Sequence, residues 1–529
     1  MTDPTNVLRD PLADPPATQF APDRSTPPAP ASSDVSPPSS LASSVNPWWR
    51  IGDFGVLGLW IVVVSFTIQY HEKWADEAQA WLIARDLGLR TIWFHELRYE
   101  GSPGLWHTIL WLAQRVFHAR YGAIGYIGAV CATAGVALLI FKAPFPRTIR
   151  WPLAFTYFMV YQYAVIARPY TLLPLLAFAA AILFRDIKHP ERMTVVLVLL
   201  ANLTLHGTII AGCIGLGYLL EAIKSWRILE RPVRNRYLIS IAVMALTFVF
   251  LLVILMPTKE YVAGLVRGKE LAQMPRPTPA QKLVAGVSGA FLDYSVPSFL
   301  FIALAGAWCF LRGRLLTFAL PVALTTLLYA AVHGLAHHHG TIFVAAITGL
   351  WIAWPDPEEK NASNKRERWA LQGMTALLLC LCAVNIWDSA VVIRREYLYP
   401  YSGAEDAAKY LKSVGADRGP IFGFTYGMAG VQAYFDHNIL ANIPTTYSHH
   451  GLPVAGERLD VDELERVNPD YVVMYSNVPQ VTLDVDGPVY ASLGYEMVHF
   501  SDGYYFYKSA VYEREAYLIF HRTRPGPAR

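Results

Sequence analysis

Pro103-Gly104-Leu105-Trp106-His107-Thr108-Ile109-Leu110-Trp111-Leu112-Ala113-Gln114-Arg115-Val116-Phe117 is an apolar stretch with a histidine inside it and an arginine near its end. A helix that crosses a bilayer needs about 20 mostly apolar residues, and this run stops short of that. It reads as an interfacial or re-entrant helix. The decision matters because every crossing inverts the side on which all later loops lie.

With that stretch left out, apolar runs at 54–70, 121–141, 151–167, 170–185, 193–206, 208–224, 237–256, 295–311, 315–333, 341–354 and 370–388 predict about eleven crossings. The positive-inside bias tests the choice. On this count the inner loops carry Lys142, Arg147 and Arg150; Arg185, Lys188 and Arg192; Lys224, Arg227, Arg231, Arg234 and Arg236; Arg312 and Arg314; and Lys360, Lys365, Arg366 and Arg368. The short outer loops keep Arg168 and little else. Had 103–117 crossed, all the basic loops would face outward. The N-terminus is therefore expected inside, with 71–120 and the C-terminal region outside.

Of the 529 residues, 54% are hydrophobic and 16% charged. That composition, spread over many separate apolar runs, predicts an α-helical polytopic membrane protein, not a string of soluble domains. The net charge is +3, so there is no bulk basic footprint for nucleic acid. Cys131, Cys213, Cys309, Cys380 and Cys382 all fall in apolar runs with no metal-ligand spacing, and read as core residues.

Residues 1–49 are rich in Pro, Ala, Ser and Asp and predict a disordered cytoplasmic tail. They lack the basic start and apolar stretch of a cleavable signal, so the run from Phe54 to Tyr70 reads as a retained span, entered through Trp48, Trp49 and Arg50. Residues 50–390 form the multi-span part. Within it, 257–294 holds Pro257, Pro275, Pro277 and Pro279 and reads as a long outer loop, either a cover over a site or a plain connector. From about 391 the composition turns soluble. Glu405–Val414 predicts an amphipathic helix, and Ile421–Thr425, Tyr471–Tyr475 and Tyr504–Tyr507 predict strands, giving a small extracytoplasmic α/β domain over 391–529.

Just after the first span, Trp74-Ala75-Asp76-Glu77-Ala78-Gln79-Ala80-Trp81 sets two carboxylates between tryptophans. At helical spacing Trp74, Ala78, Trp81 and Leu82 make an apolar stripe, with Asp76 and Gln79 on another face, so the segment is expected to lie along the bilayer interface. A plainer reading makes the carboxylates solvated, with Glu77 paired to Lys73. Other ionisable groups fall at outer span ends: Arg168 in Ala167-Arg168-Pro169-Tyr170, His206, and the run His333, His337, His338, His339. A charge at such a boundary is costly unless paired, which makes it a functional candidate. Snorkelling to headgroups is the plain alternative for Arg168, and a hydrogen-bonded core histidine the plain alternative for His206. His333 and His337, four apart, raise a metal site, but adjacent histidines cannot all point at one ion and no acidic or Cys ligand lies nearby. Imidazoles assisting a phosphate fit the pattern better.

Trp74-Ala75-Asp76-Glu77, then Tyr99-Glu100-Gly101-Ser102-Pro103-Gly104-Leu105-Trp106, then Ala167-Arg168-Pro169-Tyr170, in a many-span chain with an outer C-terminal domain, resemble the GT-C type membrane glycosyltransferases. The likeness is to bacterial members of the group that includes protein mannosyltransferases and aminoarabinose transferases. It covers the organisation of about residues 50–390. Two departures stand out: Ser102-Pro103-Gly104 replaces a His before two prolines, and no second acidic residue stands near Arg168, so a two-carboxylate metal site is not supported. The resemblance implies transfer of a sugar from a polyprenyl-phosphate donor to a hydroxyl of a lipid or glycan acceptor at the outer face of the cell membrane. It implies Asp76 as base and acceptor anchor, Arg168 as phosphate clamp, and Glu77, Tyr170, His206, His337 and His338 as supporting groups, with no cofactor fixed and a divalent metal the less favoured option. A transporter or lipid-linked-sugar flippase is the alternative, though it would favour charges at mid-bilayer and repeated halves. A scaffold without catalysis fits only if Asp76 and Arg168 are both dispensable.

Overall fold

The computed structural model describes residues 47–259, 277–331, 334–356, 365–424, 427–443 and 461–523. The predicted tail up to residue 46, His333, Lys360, Thr425 and the middle of the 257–294 loop lie outside the described residues. Residues Arg50–Arg529 form one compact unit.

Where a run is uniformly apolar, a helix forms, because only the helix satisfies every backbone group within one segment away from water. Among the described residues five helices are long and apolar enough to cross a membrane: Arg50–Tyr70, Tyr121–Lys142, Leu205–Lys224, Arg231–Ile254 and Lys365–Leu398. The pair Pro279–Ala290 and Ser295–Leu311, bent by 74°, makes a sixth if taken as one broken span. The count of about eleven is not reached by length and composition. Helix Leu173–Leu183 has 11 residues, Pro190–Ala201 12, His339–Ala353 15 and Leu315–Ala331 17. At about 1.5 Å per residue the shortest of these covers about 17 Å of a roughly 30 Å apolar layer.

The predicted 151–167 span is also broken. Helix Arg147–Ala154 carries Pro152 and stops, and a π-helical turn follows at Phe158–Gln162. Proline removes a helical N–H and clashes with the preceding turn. In the opposite sense, Lys365–Leu398 runs 34 residues, well beyond the predicted 370–388, because Arg394, Arg395 and Glu396 end the apolar run without ending the helix.

Helices Leu173–Leu183, Leu205–Lys224 and His339–Ala353 share a direction, and the basic residues gather where they finish. Arg185 donates to Trp354 O at 2.7 Å, Arg312 to Ala353 O at 3.3 Å, and Arg314 pairs with Glu221 at 2.5 Å. The starts of the same three helices meet at the site described below.

The C-terminal part builds a four-stranded sheet in the order β1–β2–β6–β3 from β1 Ile421–Phe424, β2 Tyr471–Ser476, β3 Tyr495–Ser501 and β6 Ala516–Arg522. β1 and β2 run parallel; β2–β6 and β3–β6 are antiparallel. Helix Ala404–Ser413 lies on its apolar side, burying Ala404, Ala407, Ala408 and Leu411. A separate hairpin, β4 Tyr504–Tyr507 and β5 Ala510–Arg514, leaves the sheet and enters the helical core. Its turn residue Lys508 is 3% exposed, 2.5 Å from Asp293 and 3.6 Å from Asp388.

Candidate functional site

Helix Ala75–Asp86 carries the Asp-Glu pair. It does not lie with one face open, as an interfacial helix would: nine of its 12 residues are buried, packed against helix Leu105–Phe117 and helix Met428–Gln432. The stripe Ala78, Trp81 and Leu82 is buried as expected, but so are Glu77 and Gln79. Covering by the C-terminal part is what the local sequence could not reveal.

The two neighbouring carboxylates part company at once. Asp76 pairs with Arg168, Oδ2 to Nη1 at 2.7 Å, with about a fifth of each side chain exposed. Arg168 Nη1 also donates to His337 Nε2 at 2.9 Å, and its guanidinium stands 5.4 Å from the Trp74 ring and 5.8 Å from the Tyr170 ring. A planar cation between two aromatic faces gains from both ring quadrupoles. His337 must be unprotonated at Nε2 to accept this bond. Burial and then the Arg168 charge push its pKa well below the ordinary value.

Glu77 points elsewhere and is fully buried. His71 bridges Glu77 Oε2 and Glu396 Oε1, each at 3.0 Å, and the Tyr161 hydroxyl donates to Glu396. Burial alone would neutralise His71, but the charges of Glu396 and Glu77 outweigh it and raise its pKa to about 10. For Glu77, burial opposes ionisation, yet His71 and the Ala167 N–H hold the carboxyl below its usual range. This corrects two expectations: Glu77 pairs with His71, not Lys73, and it does not border the cavity where Asp76 sits.

That cavity, about 300 Å³, is lined by Asp76, Arg168, Tyr170, His206 and His338, and also by Glu100, Ser102, Trp106, His107 and Tyr329. His338 Nδ1 accepts from Leu335 N at 3.1 Å, so its neutral form carries the proton on Nε2. The His206 and His338 rings are 4.9 Å apart, and Tyr170 lies 5.8 Å from His338. Of the predicted group, Asp76, Arg168, Tyr170, His206 and His338 meet around one space, while His337 lies behind Arg168. His339 is turned away: its Nδ1 is 2.6 Å from the hydroxyl of Tyr507 in β4, and its Nε2 is 2.8 Å from that of Tyr329.

Sequence reasoning missed Glu100 and His107. They flank the turn at Gly101, whose φ of 61° no bulkier residue adopts comfortably. Glu100 Oε1 accepts from Gln79 Nε2 at 2.5 Å. Burial, then the nearby Glu96 charge, raise the Glu100 pKa to about 8, and burial lowers that of His107 to about 4. Glu100 stands in the Tyr99–Trp106 stretch that carries the family resemblance but has no site role there, and His107 shows only as a polar residue inside a short apolar run.

Among the described residues no group of three or more His, Cys, Asp or Glu is placed to hold a metal ion. No family model, no curated protein and no solved structure matches this chain.

Proposed function

We propose that this chain is an integral-membrane glycosyltransferase of GT-C type that moves a sugar from a polyprenyl-phosphate donor to an acceptor hydroxyl. The observation that carries the reading is the Asp76–Arg168 pair at the wall of a cavity ringed by histidines and Tyr170. It sets a carboxylate base and a phosphate-matched cation 2.7 Å apart, one hydrogen bond from each other.

The chemistry balances. The acceptor oxygen attacks the anomeric carbon, the carbon–oxygen bond to phosphate breaks, and the acceptor proton passes to the Asp76 carboxylate. The electron pair stays on the departing polyprenyl phosphate, whose charge Arg168 stabilises with the rest of its guanidinium fork. The indole of Trp74 and the imidazole of His337 hold that fork in place. His338 and His206, at the same wall, donate to phosphate oxygens.

The short apolar helices complete the bundle around the long ones, with the cavity at the extracytoplasmic end and the basic helix ends at the cytoplasmic one. The N-terminus is then cytoplasmic and the C-terminal sheet extracytoplasmic. Asp76→Asn tests the reading, with the purified protein in lipid nanodiscs and a polyprenyl-phosphate sugar as donor. The variant should insert and fold normally while its turnover falls about a hundredfold or more. Wild-type turnover by it would end the proposal.

A further inference from the structure

The wall formed by Glu100, Ser102, Trp106 and His107 has no role in the step above, and it contains an anomaly. The His107 ring is 3% exposed, yet neither ring nitrogen has a hydrogen-bond partner among the described residues. Its Nε2 stands 4.0 Å from Glu100 Oε2, beyond hydrogen-bonding distance. The Trp106 indole N–H, on a fully buried side chain, is likewise without a partner among the described residues. A buried donor or acceptor left unmade costs about 1–3 kcal/mol, so three such atoms on two residues that line one cavity point to something that satisfies them when bound.

We propose that Glu100, His107, Trp106 and Ser102 form an uncharged hydrogen-bonding subsite for a sugar ring, beside the Arg168 end of the same cavity. The chemistry of the groups selects the ligand class. Near neutral pH Glu100 retains its proton and His107 has lost its own, so this wall offers donors and acceptors with no net charge. A phosphate finds no cation here, and a metal ion finds one protonated carboxyl. A polyhydroxylated ring supplies both halves of every bond, and one of its hydroxyls is the right size to bridge the 4.0 Å between His107 Nε2 and Glu100 Oε2. The cavity lies at the small end of ligand-site volumes, which suits one ring with its phosphate and not a long glycan. Gln79 holds Glu100 in position from behind.

The inference rests on the glycosyltransferase reading for its place in a reaction, but its test does not. Saturation-transfer difference NMR on the full chain in nanodiscs, with a methyl hexoside, a methyl pentoside and inorganic phosphate as separate probes, reads the subsite directly. At least one glycoside should bind to the wild type. Glu100→Gln should keep that binding, since the amide still donates and accepts. His107→Phe should weaken it about tenfold while leaving thermal stability equal or higher, because an orphaned buried polar ring is replaced by an apolar one. A purely structural histidine would give the opposite pattern. No glycoside signal in the wild type, or undiminished binding in His107→Phe, overturns the subsite and leaves a water-filled wall. If the glycoside results hold but Asp76→Asn turns over normally, only the reaction assignment fails. In turnover assays, a His107→Phe effect on the KM of the donor alone assigns the ring to the donor sugar; an effect on the acceptor alone assigns it to the acceptor.

Discussion

The backbone N–H of Ala167 donates to Glu77 Oε1 at 2.7 Å, so the residue before Arg168 is held by the residue after Asp76. Two stretches of chain 90 residues apart are thereby fixed in register, and the Asp76–Arg168 pair is a consequence of that clamp. Asp76 does chemistry in the proposed step; Glu77 positions it.

Removing the clamp should cost stability and geometry together. Glu77→Ala leaves His71 with one carboxylate where it had two, and breaking a buried ion pair costs about 3–5 kcal/mol. Thermal unfolding in detergent should show a large drop. Glu77→Gln should fall between, because the amide oxygen still accepts from Ala167 but its charge is gone. Wild-type stability in Glu77→Gln would mean the clamp is not electrostatic.

The His71 bridge also predicts a pH profile. Its pKa rises from 6.5 in the unfolded chain to about 10 in the folded one. The stabilisation is therefore complete below about pH 6.5, declines as the unfolded chain loses its proton, and is gone above about pH 10. Glu100 and Glu515, raised to about 8, add loss in the same direction between about pH 4.5 and 8. Denaturant titrations should show stability falling from pH 6.5 to 10. In His71→Gln the fall should be shallower and confined mainly to the region below pH 8.

Lys508 should anchor the hairpin to the helices. Lys508→Met leaves Asp388, 4% exposed, facing a neutral side chain, at a cost of about 3–5 kcal/mol. Adding Asp388→Asn should recover part of the loss, measured as the coupling in a double-mutant cycle. Strict additivity would show that the two charges do not interact.

Arg168→Lys keeps the charge and loses the fork. An ammonium cannot serve Asp76, His337 and a phosphate in the planar geometry the guanidinium offers. With charge-assisted hydrogen bonds worth about 1.5–3 kcal/mol, the KM for a polyprenyl-phosphate donor should rise about tenfold to a hundredfold. An unchanged KM would place the phosphate elsewhere.

Legibility from sequence divided along physical lines. The helices Ile124–Lys142, Leu205–Lys224, Arg231–Ile254 and Ser295–Leu311 were readable because apolar continuity is a local property. Asp76, Arg168, Tyr170, His206 and His338, picked out in the sequence as ionisable groups and rings near the ends of apolar runs, line one cavity in the fold. The helix Lys365–Leu398 was read too short, because Glu396 looks like a solvated residue until His71 and Tyr161 are seen beside it. β3, β5 and β6 were not anticipated: β6 Ala-Tyr-Leu-Ile-Phe draws its place from pairing with β2 and β3, which no local pattern encodes. Glu100 and His107 escaped because their significance is the gap between them, set by a glycine turn and by burial under the helix that carries Asp76.

The contacts of Glu515 carry one more consequence. Its Oε1 accepts from Ala75 N at 3.3 Å, at the first turn of the helix bearing Asp76, and Tyr505 stacks on Trp74 at 4.9 Å. Both partners follow every one of the long apolar helices in the chain, so the floor beneath Asp76 is completed only after those helices have been made. A chain cut short before Tyr505 would keep the apolar helices but lose both the Trp74 stacking partner and the Glu515 carboxylate at the first turn of the Asp76 helix, so the proposed centre would form only once the hairpin and β6 are in place.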